Sequence, residues 1–446
     1  MPRTTRIFCA STLYGAAALA ASLDAGLFEP TDRRLLLVTN NAENPETTPA
    51  VDTMPGFSRI RERFDDVLSW NETIAPFHPG GWSPRTDDVP MWERYVRLLW
   101  GLGDDEIRLV VEPVPANPSL ALCQVFTGAP VDVYAGGLTS YGPTRDKIDP
   151  LVGTRIDRLL HTDLVPGLTP LLLTEYGVPP EPVPAEALVK VLDDLAGDED
   201  QPGLSEEPPA LLFGECLSAL GVLTAAEEEE LHLRMVRGAV ELGHRHLVFK
   251  PHPVAPARWD RLLEEEASRL GACLTSLDRL VPAEVAVRRM RPALAVGCFS
   301  TALLTAASLY RIPVARVGTD TLLARLAPYQ NSDRVPLTIV DALLPDIGDP
   351  SAVADRHMPS EERVAELAGL LKAVGFAMQP KIYPGLRAEA ESYLSQHLDS
   401  HTWRYFKRRR LTVLALPGGV PARLSFIPRN ATVRRVARRA RGLAKR

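Results

Sequence analysis

Short apolar runs alternate with polar loops and helix-spaced stretches along the first half of the chain. Residues 6–10, 34–39, 107–112 and 131–135 are rich in Val, Ile and Leu and give way to Ser, Thr, Asn, Gly or Pro. Runs of this length bounded by turn residues predict buried parallel strands. Between them, residues 15–23, 91–102 and 118–126 carry apolar positions that read as helices. The alternation predicts a doubly wound α/β sheet, whose ligands bind outside the carboxyl ends of its strands. That places the interest at residues 11–14, 40–41 and 136–141.

The pattern breaks at residues 178–209, which hold seven prolines and an acidic patch at 197–200. It then restarts, with strands at 210–213, 246–249, 272–275 and 293–296 and helices at 225–242, 257–270, 282–290 and 301–309. The chain therefore divides into a Rossmann-like domain (1–177), a Pro-rich acidic linker (178–209), a second Rossmann-like domain (210–390) and a basic C-terminal tail (391–446). Two such domains in tandem, with distinctive residues at strand ends facing a common cleft, predict an α/β, GT-B-like architecture.

Composition narrows the classes. A chain of 446 residues with 45% hydrophobic, 24% charged and 6% aromatic residues describes a globular protein of more than one domain, which excludes disorder, collagen and a membrane bundle. Forty prolines against thirty glycines predict stiff connections and exclude a coiled coil. Five scattered cysteines suit buried thiols in a reducing compartment, and without a Cys-x-x-Cys pair a cysteine zinc site is disfavoured. No run approaches the roughly 20 apolar residues of a spanning helix, so the cytoplasm is the expected location. The net charge of −6 conceals an asymmetry: from His401 onward there are 14 Lys and Arg and no acid, while 36 basic residues against 56 acidic ones leave −20 before it.

Three segments carry candidate chemistry. Lys250-Pro251-His252-Pro253 ends a strand with two cationic or donor groups between prolines that fix the backbone, a rigid mount for a phosphate. Gly297-Cys298-Phe299-Ser300-Thr301 places two hydroxyls at a helix start, where free N–H groups and the positive end of the dipole attract an anion. Glu284 opens a helix between these segments and could accept hydrogen bonds from a ribose. Ordinary surface turns and helix caps explain each segment equally simply; the two strand ends together could clasp one phosphate. No Gly-x-Gly-x-x-Gly or Walker sequence is present, which removes the nicotinamide and P-loop readings.

In order and spacing, residues 249–253, 281–284 and 297–301 resemble the nucleotide-binding half of bacterial sialyltransferases of the alpha-2,8-polysialyltransferase type, which have a GT-B fold. Residues 5–15, 36–41 and 132–144 resemble that family's first domain, so the resemblance spans residues 5–390. It implies an acceptor-side first domain, a nucleotide-sugar-binding second domain, and inverting, metal-independent transfer of sialic acid or a related nonulosonic acid from a CMP-activated donor to a glycan acceptor. No cofactor is implied, the CMP-sugar being a substrate. His252 would contact the CMP phosphate and assist its departure, with Lys250 and Pro253 beside it. Ser300 and Thr301 would bind that phosphate, and Glu284 the ribose or base. The family's acidic-Asp-Gly motif, which supplies the general base, reads Tyr134-Ala135-Gly136-Gly137 here, with Gly136 in place of the aspartate. Asp132, Tyr141 and Asp146 are the nearby substitutes. The alternatives are a CDP-polyol phosphotransferase of the teichoic-acid type and a catalytically silent glycan- or nucleotide-binding relative. The amphipathic basic pattern of the tail predicts a peripheral contact with an anionic inner membrane face or with a polyanionic acceptor. Nucleic acid is disfavoured because no aromatic interleaving accompanies the charge.

Overall fold

The computed structural model describes residues 3–197, 207–354 and 359–420. Strands β1 (Thr4–Ala10), β2 (Arg33–Val38), β3 (Asp66–Ser69), β4 (Glu106–Val111), β5 (Val131–Ala135), β6 (Ile156–Thr162) and β7 (Pro180–Val183) form a parallel sheet in the order β3-β2-β1-β4-β5-β6-β7. Strands β8 (Ala210–Phe213), β9 (His246–Lys250), β10 (Cys273–Ser276), β11 (Leu294–Gly297) and β12 (Val314–Arg316) form a second in the order β10-β9-β8-β11-β12. Both sheets reverse strand order beside their first strand, which makes each a Rossmann-like domain with its switch point at the carboxyl ends. Alternate residues of one strand enter different cores. Ile7 and Cys9 pack with Leu35, Leu109 and Val133 on one face, and Phe8 and Ala10 with Leu36, Val110 and Tyr134 on the other. Burial on both faces is why these strands read as continuous apolar runs.

Two segment boundaries differ from expectation. Residues 178–209 are not simply a linker: they supply edge strand β7 and the helix Ala185–Ala196. Pro180 and Pro182 are tolerated there because an edge strand can spare backbone donors. The helix packs against Leu13–Asp24 of the first domain and Ala283–Met290 of the second. Arg288 pairs with its Asp193, and Arg289 Nε donates to Ala196 O at 2.8 Å. The expected acidic patch at Asp198, Glu199 and Asp200 lies outside the described residues.

The expected basic tail is, as far as residue 420, part of the second domain. Helices Arg387–His397 and Arg408–Val413 bury Tyr393, Leu394 and Leu411, and Tyr405 and Phe406 between them are also buried. Asp341, whose side chain is fully enclosed, accepts from Thr319 Oγ1 at 2.6 Å and Tyr405 OH at 2.8 Å and pairs with Arg316 and Arg404. The chain also returns to the first domain: Tyr383 OH accepts from Thr144 N–H at 2.9 Å and donates to Glu175 Oε2 at 2.6 Å. Residues 421–446, with the remaining basic positions, lie outside the described residues. Two Rossmann-like domains joined by a bridging helix and a returning C-terminal segment make the fold GT-B-like.

Candidate active site

On the second domain, β9 delivers Lys250 and His252 to different tasks. Lys250 is buried, and its Nζ donates to Pro251 O at 2.7 Å and Arg279 O at 3.1 Å, so the ammonium braces its own loop rather than reaching outward. Burial pushes its pKa down to about 8, opposed by Asp278 and Glu284. His252 and Pro253 are exposed. Nδ1 of His252 accepts from Val254 N–H at 3.4 Å, which assigns the proton of the neutral ring to Nε2. Desolvation, and then the Lys250 charge, hold this imidazole below its ordinary pKa, so it is a neutral N–H donor at pH 7.

Strand β11 ends in the loop to the helix Thr301–Ser308. Ser300 is its N-cap, its Oγ accepting from Ala302 N–H at 3.2 Å, which leaves the hydroxyl proton for a ligand. Glu284, in the first turn of Ala283–Met290, is buried; burial raises its pKa, opposed by its own N–H and by Lys250. Because β9, β8 and β11 are neighbours, the His252 and Ser300–Thr301 loops lie on one edge of one sheet.

The first domain meets this edge at the end of β5. A Cβ placed on Gly137 would lie 3.3 Å from Thr301 Oγ1, which shows how closely the two domains approach. Gly136 does not leave the gap its sequence implies. A Cβ there would lie 3.1 Å and 3.3 Å from ring carbons of Tyr14, so that ring occupies the space of the missing side chain.

Of the three nearby substitutes, Asp132 and Tyr141 are engaged elsewhere. Asp132 accepts from Arg158 Nε and Nη2, both at 3.1 Å, and lies four residues back along β5 from Gly136, about 13 Å by strand rise. Tyr141 is fully buried, its hydroxyl accepting from Val165 N–H at 3.2 Å. Asp132 is thus paired within the first sheet, while Tyr141 packs in one core with Leu304 and Val335 of the second domain.

Two strand-end carboxylates were not anticipated. Glu112 directly follows β4, and its Oε1 accepts from Ser11 N–H at 3.0 Å, Ser11 Oγ at 2.7 Å and Tyr134 OH at 3.3 Å. The available signal was an acid ending an apolar run, which reads as an ordinary strand terminus. Glu215 follows β8, beside the Phe299 backbone, with Oε1 buried and unpartnered; burial raises its pKa to about 8. Its own N–H donates at 3.2 Å to Nε2 of His232, whose pKa burial lowers to about 4.

These two groups act on stability with opposite signs. The folded state holds Glu215's proton more tightly than the unfolded chain, so stability falls as pH rises from about 4.5 to 8. The unfolded chain binds the His232 proton first, so stability falls as pH drops from 6.5 to about 4. Glu215→Gln is therefore expected to raise Tm over the parent by several degrees at pH 8 and by little at pH 4.5. Scanning calorimetry at the two pH values checks it, and an equal shift at both would refute the buried acid.

A cavity of about 200 Å³ is lined by Pro113, the residue after Glu112, with Pro115, Thr139, Arg145, Asp146, Gln330 and Ser332 among others. A larger one of about 600 Å³, lined mainly by apolar side chains such as Leu164, Leu304, Ile312 and Val364, includes none of the sequence-predicted site residues. Among the described residues, no three His, Cys, Asp or Glu side chains group closely enough to hold a metal ion.

The family model for alpha-2,8-polysialyltransferase (POLYST) matches residues 6–319. No curated protein matches the chain. Among solved structures, Glycyrrhiza uralensis UGT73P12 complexed with glycyrrhetinic acid 3-O-monoglucuronide is 10% identical, with 89% of this chain and 98% of that one covered and a TM-score of 0.45. The GT-B domain of a sialyltransferase from Photobacterium damselae is 12% identical, with 76% and 96% covered and a TM-score of 0.39.

Proposed function

The chain belongs to the alpha-2,8-polysialyltransferase family, and from that membership we propose that it transfers sialic acid, or a related nonulosonic acid, from a CMP-activated donor to a glycan hydroxyl. The transfer inverts the anomeric centre and needs no metal ion. One observation carries the reading. His252, Ser300 and Thr301 stand at the carboxyl ends of strands on one sheet edge, with Thr301 against Gly137 of the other domain. Nε2 of His252 donates to the leaving phosphate, the Ser300 hydroxyl and the helix start bind its other oxygens, and Glu284 takes the ribose. Lys250 holds the loop rather than the phosphate.

Calorimetry of the full chain with CMP, CDP, UDP and GDP tests the donor class. CMP is expected to bind tightest, with EDTA without effect. A preference for CDP would favour the polyol phosphotransferase, and activity lost to EDTA and restored by magnesium or manganese would refute metal independence. Among the described residues no helix is long and apolar enough to cross a membrane. The protein acts at the cytoplasmic membrane face, where residues 421–446 offer basic charge to anionic lipid.

A further inference from the structure

Inverting transfer needs a base within hydrogen-bond reach of the acceptor hydroxyl. At the carboxyl edge of the first sheet, Gly136 directly follows β5 and offers none, and the Tyr14 ring closes the space beside it. The strands on either side of β5 both end in acids, Glu112 after β4 and Asp163 after β6. They differ in support. Glu112 is fixed between two strand ends, by both Ser11 donors after β1 and by Tyr134 of β5, whose single hydroxyl proton is shared between Cys9 O at 2.9 Å and Oε1 at 3.3 Å. All three bonds fall on Oε1, and Oε2 accepts from no described group. Asp163 leads into Leu164–Gly167, which line the larger cavity, whereas Glu112 leads into Pro113, which lines the smaller one together with Thr139, Arg145, Asp146, Gln330 and Ser332, groups that can hydrogen-bond a hydroxylated acceptor. Asp146, which also lines that cavity, is exposed on a loop and, among the described residues, no side chain fixes it.

We propose that Glu112 is the general base of the transfer, positioned by Ser11 and Tyr134, and that the adjoining cavity receives the acceptor glycan; the assignment rests on the sialyl-transfer reading above. In the step, the acceptor hydroxyl gives its proton to Oε2 while its oxygen bonds the anomeric carbon. The anomeric C–O bond to phosphate breaks, and its electron pair leaves on CMP. Burial favours the neutral carboxyl and raises its pKa, while the Ser11 donors favour the ionised form; Tyr134 and Cys9 are the titratable groups facing it. The base is thereby brought nearer the working pH than a free carboxylate.

The test measures transfer from CMP-N-acetylneuraminic acid to an α-2,8-linked sialic acid oligomer, with CMP binding by calorimetry in parallel. Glu112→Gln is expected to lose about 10²–10⁴-fold in kcat with CMP affinity unchanged, Glu112→Asp to keep part of the rate, and Asp163→Asn to match the parent. Ser11→Ala removes a donor to the ionised form, so the acid limb of its kcat profile should move to higher pH, which a merely structural serine would not do. The proposal is overturned if Glu112→Gln transfers at the parental rate, if Asp146→Asn or Asp163→Asn alone shows the loss, or if the parent binds CMP yet transfers nothing. A parent that fails to bind CMP overturns the donor reading instead.

Discussion

Replacing His252 by alanine is expected to weaken CMP binding about 10–100-fold and to cut transfer further, with Tm close to that of the parent. Stability is spared because the side chain is exposed and engages the protein through one long bond from Val254 N–H, and surface substitutions of this kind usually fall within about 0.5 kcal/mol. Binding is not spared. A hydrogen bond to a charged phosphate contributes about 1.5–3 kcal/mol, and the phosphate gains negative charge as the anomeric bond breaks, when the Nε2 proton counts most. Partial desolvation against the strand end, and then the Lys250 charge, hold the imidazole below its ordinary pKa, so the neutral ring prevails at pH 7. Affinity for a phosphodiester donor, whose own charge is constant, should therefore rise as pH falls through the lowered pKa of the ring and the ring becomes cationic. Unchanged donor affinity and turnover in His252→Ala would remove the phosphate site from this edge.

The donor-side segments were legible because their punctuation is local. Prolines around His252 and the Gly-to-Ser-Thr turn before Thr301 mark strand ends without reference to the rest of the chain. Strands β1, β2, β4, β5, β8, β9, β10 and β11 were legible because most are apolar on both faces. Strand β3 is half-buried along its four residues, β6 carries Asp157, Arg158 and His161 within its apolar run, and β7 begins with prolines, so each lacks that signal. The Glu112 arrangement was hidden for a different reason: Ser11 and Glu112 are 101 residues apart and meet only because β1 and β4 pair. Basic composition misled at the C-terminus. Arg410 donates to Ala377 O and Met378 O, and Lys407 to Leu323 O and Ala324 O. These cations satisfy carbonyls at helix ends, work that composition alone cannot separate from a solvated tail.

A chain ending at residue 386 is expected not to fold, whereas one ending at 420 should melt and bind CMP like the parent. The family match stops at residue 319, which invites truncation, but the second domain's core does not stop there. Removing 387–420 strips six large buried apolar or aromatic side chains, Tyr393, Leu394, Tyr405, Phe406, Leu411 and Leu416, besides Ala390 and Thr402. At about 1.5–3 kcal/mol each for burial, the loss is on the order of 10 kcal/mol, comparable with the ~5–15 kcal/mol net stability of a whole domain. The same cut takes Tyr405 OH and Arg404 from Asp341, leaving Thr319 and Arg316 as the partners of its carboxylate. Removing one partner of a buried charge typically costs about 3–5 kcal/mol. Asp341 belongs to the helix Arg334–Leu343, whose Val335 touches the position a Cβ on Gly142 would take, at 3.5 Å, so the damage would reach the contact between domains. Deleting 421–446 removes none of these groups. Solubility and a calorimetric melt of the two truncations decide the matter: a soluble 1–386 chain with a cooperative transition at the parental Tm would show that the C-terminal helices merely cover a domain complete without them.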